Sequence, residues 1–246
     1  MTRDLLIGPH AVGEWLASSP ERLEALLVAA SPNDRIQALA RQAAAANIPV
    51  EIVSTRHLQS LAEPKNPQGV AARVKPYAFA DLDAVLAAAG GVPLVLAVDG
   101  VTDPGNLGAL IRSAAFFGAT AVLLPRDRSA SITPVVERAA AGAVARIPIC
   151  QVNSFVNALA GLREVGYSIV GGIVGPHPSP SGVDLRSPLV AVVGSEGSGI
   201  RPSVRRLCDL KVSLPSPAGA QRGPASLNVS AFTSILLYEI ARQRAA

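Results

Sequence analysis

From about residue 90 onward the chain repeats short, uninterrupted apolar runs between helical patterns, and this constrains its fold more than any other feature. The clearest are Leu94 to Val98, Thr120 to Leu124 and Leu189 to Val193; Ile147 to Val152, Tyr167 to Ile173 and Leu210 to Leu214 are read as further strands, although Gln151, Ser168, Lys211 and Ser213 interrupt them. Apolar runs without polar alternation belong to strands covered on both faces, as in a parallel sheet. A helix from Leu107 to Phe117, ended by Gly118, joins the first two runs into a βαβ unit. Thr133-Pro134 reads as an N-cap with proline in the first turn of a helix through Ala141. Ser154 caps another helix, a short one lies near Pro202 to Leu207, and a final helix runs from Val229 to Arg242.

The first 75 residues carry a smaller α/β pattern of their own. Helices are expected from His10 to Ala17 and Asp34 to Ala46, and strands from Ala25 to Ala29, Val50 to Val53 and Gly69 to Lys75. The Lys75-Pro-Tyr-Ala-Phe79 stretch and Gly90-Gly91 read as a linker carrying one helix. The expected organisation is therefore a small α/β domain over 1–75, a linker over 76–92, and a parallel-sheet α/β domain over 93–246.

Composition narrows the function. With 49% hydrophobic and 16% charged residues, the chain is not of the disordered, highly charged kind. Aromatics at 4% are too few for a base-stacking platform, and a formal charge of +4 admits an anionic partner without requiring one. Cys150 and Cys208 are far apart, with no CxxC or CxxH spacing, which argues against a disulfide framework or a zinc site. No secretory h-region follows Met1, and no run approaches the ~20 apolar residues of a membrane span. A cytoplasmic protein without a metal or membrane partner is expected.

Ligands of an open parallel sheet bind beyond the carboxyl ends of its strands. Three segments fall there: Asp99 to Ser113, Val193 to Ile200, and Leu214-Pro215 with Ser226-Leu-Asn-Val-Ser230. Glycines 105, 108, 194, 197 and 199 let the backbone approach a ligand, or simply make ordinary turns. No GxGxxG follows the first strand and no Walker A motif is present, which demotes NAD and ATP. Taken singly, the polar residues keep two readings. Asn106, Glu196, Ser226 and Asn228 are each placed where a helix cap would serve. Arg112, on a helix with little other polarity, needs a phosphate, a carboxylate or solvent. Together, at the ends of one sheet, they point to a site.

Asn106-Leu-Gly-Ala-Leu-Ile-Arg-Ser113, Leu189-Val-Ala-Val-Val-Gly-Ser-Glu-Gly-Ser-Gly199 and Ser226-Leu-Asn-Val-Ser-Ala231 resemble, in order and separation, the three signature motifs of the SpoU family of RNA ribose methyltransferases, part of the knotted SPOUT class. Ile7-Gly-Pro-His-Ala-Val12 and Gln68-Gly-Val-Ala-Ala-Arg-Val-Lys75 look like the edges of the N-terminal RNA-binding domain found in the family's 23S rRNA guanosine methyltransferases. Asp99-Gly-Val-Thr-Asp-Pro104 and Asp127-Arg-Ser-Ala130 are similar to stretches of their catalytic domain. The resemblance implies 2′-O-methylation of RNA, most specifically a guanosine of 23S rRNA, with S-adenosylmethionine (SAM) as methyl donor. It also implies a C-terminal trefoil knot and a homodimer with active sites at the subunit interface. By the same resemblance Asn106, Arg112, Glu196, Ser226 and Asn228 are the catalytic and substrate-positioning residues, and Gly194, Leu214 and Leu227 hold SAM. Arg41, Arg56, Lys65, Arg73 and Lys75 would give the N-terminal domain its basic RNA contacts. Ser216-Pro-Ala-Gly-Ala-Gln-Arg-Gly-Pro-Ala225 departs from the family as a longer connection before the third motif. Methylation of another rRNA or tRNA site, and a weakly catalytic RNA-binding assembly factor, remain alternatives.

Overall fold

The computed structural model describes residues 5–18, 20–62, 66–75, 77–215 and 226–245, and the chain divides into two compact units between Ala78 and Phe79. The first contains β1 (Leu5–Ile7), α1 (Pro9–Ser18), β2 (Leu23–Ala29), α2 (Asp34–Ala45), β3 (Val50–Val53), α3 (Thr55–Ala62) and β4 (Val70–Val74). Its sheet has the order β1-β4-β2-β3, with β2 parallel to β3 and β4 antiparallel to both its neighbours. Asn33 caps α2 by accepting the Ile36 amide at 3.1 Å, which turns Ile36, Leu39 and Ala43 onto the core with Trp15, Leu26 and Val70. The helix α3 and the strand β1 were not read from the sequence. Strand β1 has only three residues and α3 only eight, both shorter than the stretch over which a pattern is read from sequence.

The second unit contains α4 (Leu82–Ala87), β5 (Leu94–Asp99), α5 (Pro104–Phe116), β6 (Ala121–Pro125), α6 (Pro134–Ala140), β7 (Ile149–Val152), α7 (Phe155–Glu164), β8 (Ser168–Gly172), β9 (Leu189–Gly194), α8 (Pro202–Arg205), β10 (Leu210–Val212) and α9 (Val229–Arg244). Its six strands lie in the order β10-β8-β9-β5-β6-β7, and every pairing is parallel. All carboxyl ends therefore share one edge. Strands β5, β6 and β9 are buried at every residue, as their unbroken apolar sequence requires. Thr133 and Ser154 cap their helices as expected, accepting the Val136 and Asn157 amides.

Residues 79–92 are not a free linker. The Ala80 amide donates to Ile149 O at 2.9 Å on β7, and Leu82, Val85 and Leu86 of α4 pack on the core of the second unit. Apolar positions on so short a helix must be covered, and the nearest cover is the edge of the sheet itself. Close packing also explains two glycines. A Cβ on Gly108 would lie 2.5 Å from Ala139 Cβ, so its absence lets α5 and α6 touch backbone to backbone. A Cβ on Gly172 would lie 2.3 Å from the Phe232 ring, so α9 can cross β8 only over a bare backbone.

The amino-terminal edge of the large sheet is closed by the end of α9. The Arg244 guanidinium donates to Val92 O (2.8 Å), Ser187 O (2.7 Å), Leu185 O (3.3 Å) and Pro93 O (3.4 Å), bridging the entries to β5 and β9. Burial lowers its pKa from the ordinary arginine value. Gln243 accepts the Leu185 amide at 3.0 Å and donates to Val183 O (3.1 Å), Pro180 O (3.3 Å) and Glu239 Oε1 (2.8 Å). Among the described residues no helix is long and apolar enough to cross a membrane.

Candidate active site

Strand β5 ends at Asp99, and the loop after it reaches α5 through Asp103, whose carboxylate accepts the Asn106 amide at 2.7 Å. Asp103 is thus the N-cap, and Asn106 sits in the first turn with its side chain released from capping. Strand β9 ends at Gly194 and turns tightly through Ser195 to Gly199. The Gly199 amide donates to Ser195 O at 2.9 Å, and the Ser195 and Ser198 hydroxyls are 2.8 Å apart. A Cβ on Gly194 would lie 2.1 Å from Gly199 C, so no other residue permits this turn to fold back on its strand. The cap of α9 is Asn228, whose Oδ1 accepts the Ser230 amide at 2.8 Å.

These three loops bring Asn106, Glu196 and Asn228 into one closed cluster. Asn106 Nδ2 donates to Glu196 Oε1 at 3.1 Å, Asn228 Nδ2 donates to Asn106 Oδ1 at 3.0 Å, and Asn228 Nδ2 also donates to Glu196 Oε1. Of the two readings of Glu196, the helix cap is not the one the structure takes: α8 has no side-chain cap, and the carboxylate is spent on the two amides. Glu196 Oε2 takes no partner among the described residues, so one acceptor oxygen of a fixed carboxylate remains open on the exposed side.

Arg112 is exposed on α5 and meets no carboxylate or carbonyl among the described residues. The structure does not bond it to the cluster. Ser226 is exposed just ahead of Asn228, as is Leu227 at 50%. Leu214 follows Ser213, whose hydroxyl donates to Gly175 O (2.7 Å) and His177 O (3.1 Å) and so fastens the exit of β10. Neither Leu214 nor Leu227 gives its backbone N–H or C=O to a backbone partner among the described residues. The long 216–225 connection and Lys65 lie outside the described residues.

Sequence reasoning missed the buried pair beneath the cluster. Asp99 is 1% exposed and accepts the Arg201 amide at 2.8 Å and Arg201 Nε at 2.5 Å. Since Arg201 closes the turn begun at Gly194, this pair ties the Glu196 loop to β5. A carboxylate at the end of an otherwise apolar strand was the available signal, because it is almost never buried unpaired. A second contact joins α5 to α9, with the Ser113 and Ser234 hydroxyls 2.8 Å apart. In the first unit, Arg73 is paired with Glu51 at 2.7 Å and Lys75 donates to Glu21 O at 2.8 Å, while Arg41 and Arg56 are exposed. Among the described residues, no three His, Cys, Asp or Glu side chains group as a metal site would need.

An all-parallel α/β sheet with amides and a carboxylate converging at its carboxyl edge defines a ligand-binding domain of the open-sheet class. Residues 93–238 match the SpoU rRNA Methylase family, and residues 5–80 match the family described as RNA 2'-O ribose methyltransferase substrate binding. The chain belongs to the SpoU rRNA methylase family. It is 38% identical to the 23S rRNA (guanosine-2'-O-)-methyltransferase RlmB of Shewanella oneidensis, over 98% of both chains. With the protein of the same name from Pseudomonas aeruginosa it shares 39% identity, over 96% of this chain and 95% of that one. The fold is also that of the SpoU methyltransferase AviRb from Streptomyces viridochromogenes, solved in complex with AdoMet (TM-score 0.62, 24% identity, 98% of this chain and 90% of that one).

Proposed function

We propose that this chain transfers the methyl group of SAM to the ribose 2′-oxygen of a guanosine in 23S rRNA. The observation that carries the reading is the closed Asn106–Glu196–Asn228 cluster, built by three loops at one sheet edge. Support for the substrate comes from relatives named for this activity that match nearly end to end. Support for the cofactor comes from the AdoMet complex of a protein with the same fold.

The residues fit SAM. Backbone groups at Leu214 and Leu227, which take no backbone partner among the described residues, would hold the adenine edge together with the backbone of the Gly194 turn. SAM supplies a methyl group already activated by its sulfonium charge. The chain has to place the 2′-oxygen about 3 Å from that carbon and manage its proton. Asn106 and Asn228 fix Glu196, whose open oxygen accepts a hydrogen bond from the ribose hydroxyl or from a guanidinium. A guanidinium offers donors and no acceptor, so the part of Arg112 is to orient a phosphate or ribose and to stabilise charge developing on the 2′-oxygen. Ser226 lies next to these groups in sequence and contributes a hydroxyl toward the SAM carboxylate or the ribose.

A homodimer accounts for the isolation of Arg112. One turn beyond it on α5, Phe116 is 81% exposed, and on α9, which packs against α5, Ile235 and Tyr238 are 41% and 55% exposed. Rings and a guanidinium presented together in this way suit a self-complementary interface that delivers Arg112 to the site of the partner. The trefoil knot of the family is assigned here as well. Strand β10 lies at the sheet edge outside β8, whereas α9, the next described element, packs on β9 and α5, an order that supports this assignment. The first unit is assigned to RNA recognition, with Arg41, Arg56 and Lys75 among its exposed cations, and an rRNA substrate implies work in the cytoplasm.

The test is methyl transfer from labelled SAM to rRNA lacking 2′-O-methyl groups, followed by mapping of the modified ribose. One 2′-O-methylguanosine in 23S rRNA is expected. A modified site in tRNA or in another rRNA would replace the substrate assignment, and SAM binding without transfer to any RNA would favour an assembly factor.

A further inference from the structure

The loop after β6 carries a charge pattern that the cluster does not use. Arg126, Asp127 and Arg128 follow the last residue of β6 and are all exposed. Register places them beside the site: Asp99 of β5 pairs with Gly194 of β9, and Ala97 pairs with Leu123 of β6, so Asp99 stands level with Pro125. Arg126 and Ser195 are then the first residues past the ends of strands on either side of β5. Two strand spacings, roughly 10 Å, separate their backbones.

The loop is held, not loose. The Arg126 amide donates to Val152 O at 2.9 Å, and the Ala130 amide donates to Val101 O at 3.0 Å, in the loop that leads to Asn106. Arg126 Nη1 donates to Asn153 Oδ1 at 3.2 Å, which holds its guanidinium over the end of β7 and leaves other N–H groups open. Arg128 adopts φ +61°, a left-handed conformation that an arginine takes at a cost of roughly 1 kcal/mol. Its guanidinium has no partner among the described residues. A glycine would make this turn more readily, so nothing in the local fold calls for an arginine here.

We propose that Arg126 and Arg128 bind the backbone phosphate of a nucleotide next to the one whose ribose is modified, making this loop a substrate-positioning element within the methyltransferase unit itself. The inference rests on the reading of the substrate as RNA. Two cations on an anchored loop, whose backbone starts about 10 Å from that of the Glu196 turn, suit a phosphate contact that positions the chain of a bound substrate. Asp127 between them offsets one charge and keeps the contact selective for a phosphate placed toward the arginines.

The test is binding of the full chain to an rRNA fragment across a salt series, with SAM affinity and thermal stability measured on the same samples. Arg128→Gly keeps the left-handed backbone and removes only the side chain, so its melting temperature should hold or rise. RNA affinity should fall about tenfold, and the slope of log K against log salt should become shallower by about 0.7 per lost contact on a single strand. Arg128→Lys should keep the slope, the double variant with Arg126→Ala should lose about two contacts, and SAM affinity should stay unchanged throughout. Asp127→Asn should tighten binding. Unaltered RNA affinity and slope in the double variant would overturn the proposal, as would failure of the unaltered chain to bind the fragment. Because the readout is RNA binding, absence of methyl transfer by the unaltered chain would defeat the proposed reaction and leave this contact separately measured.

Discussion

The two edges of the six-stranded sheet are built on opposite terms. At the amino-terminal edge polar groups are consumed internally: Arg244 satisfies four carbonyls, Gln243 bonds on both its atoms, and Asp209 takes the Ile169 amide and Arg163. At the carboxyl edge Arg128 stands unpaired among the described residues, as does Arg112 about two turns along α5 from that edge, and Glu196 keeps an open oxygen. One helix spans both regimes. Asn228 at the start of α9 joins the exposed cluster, and Gln243 and Arg244 at its end lock the opposite side. The difference teaches where stability and chemistry reside: groups already satisfied internally cannot serve a ligand, and groups left open contribute little to folding.

The contrast is tested most severely by Arg112→Ala. Methyl transfer should fall about 10³-fold, the magnitude of losing one aimed donor at developing charge, while thermal stability and SAM affinity stay unchanged. Arg112→Lys distinguishes charge from the planar fork, and near-normal turnover would defeat the idea of fork orientation. A marked loss of stability in Arg112→Ala would mean that the carboxyl edge is structural after all.

Asp99→Ala should break the division differently, since the pair lies under the site but is buried like the opposite edge. Leaving Arg201 without its carboxylate should cost about 3 kcal/mol, and it should also slow methyl transfer, because the Glu196 turn loses its tie to β5. Denaturant unfolding together with kinetics would separate the two effects. Full activity in a destabilised variant would show that the tie does not position Glu196.

Arg244→Ala should be the mirror image of Arg112→Ala. Loss of charged hydrogen bonds to the entries of β5 and β9 should cost about 2 kcal/mol, read as a melting temperature lower by roughly 4–8 °C, with kcat unchanged in the folded protein. The smallest effect is the pH dependence of Glu239. Hydrogen bonds from Arg242, then from Gln243, lower its pKa from 4.5 to about 2. Its contribution is therefore complete above about pH 4.5 and is lost as pH falls toward 2. Glu239→Gln should flatten the stability profile across that window. A profile identical to that of the unaltered chain would remove Glu239 from the lock.

Much of this architecture was legible locally. Unbroken apolar runs announced buried parallel strands, and Thr133 and Ser154 announced helix starts, because burial and capping act over a few residues. Local pattern left two readings open where the governing contact was distant. Asn106 looked like a cap until Asp103 took that role, and Glu196 looked like a cap until two amides from α5 and the α9 cap claimed its carboxylate. Residues 76–92 read as a linker carrying one helix, because six helical residues do not reveal what they pack on, although β7 and the core hold Ala80, Leu82, Val85 and Leu86.

By itself, then, the sequence determined the element types, the parallel class of the large sheet, and which residues stand at strand ends. Those properties follow from backbone preference and burial, which each segment carries within itself. Only the tertiary structure decided that Asn106, Glu196 and Asn228 bond to one another, that Asp99 pairs with Arg201, and that Arg126 stands level with the site. Those depend on the strand order β10-β8-β9-β5-β6-β7, in which residues some ninety positions or more apart become neighbours, and no local propensity encodes that order.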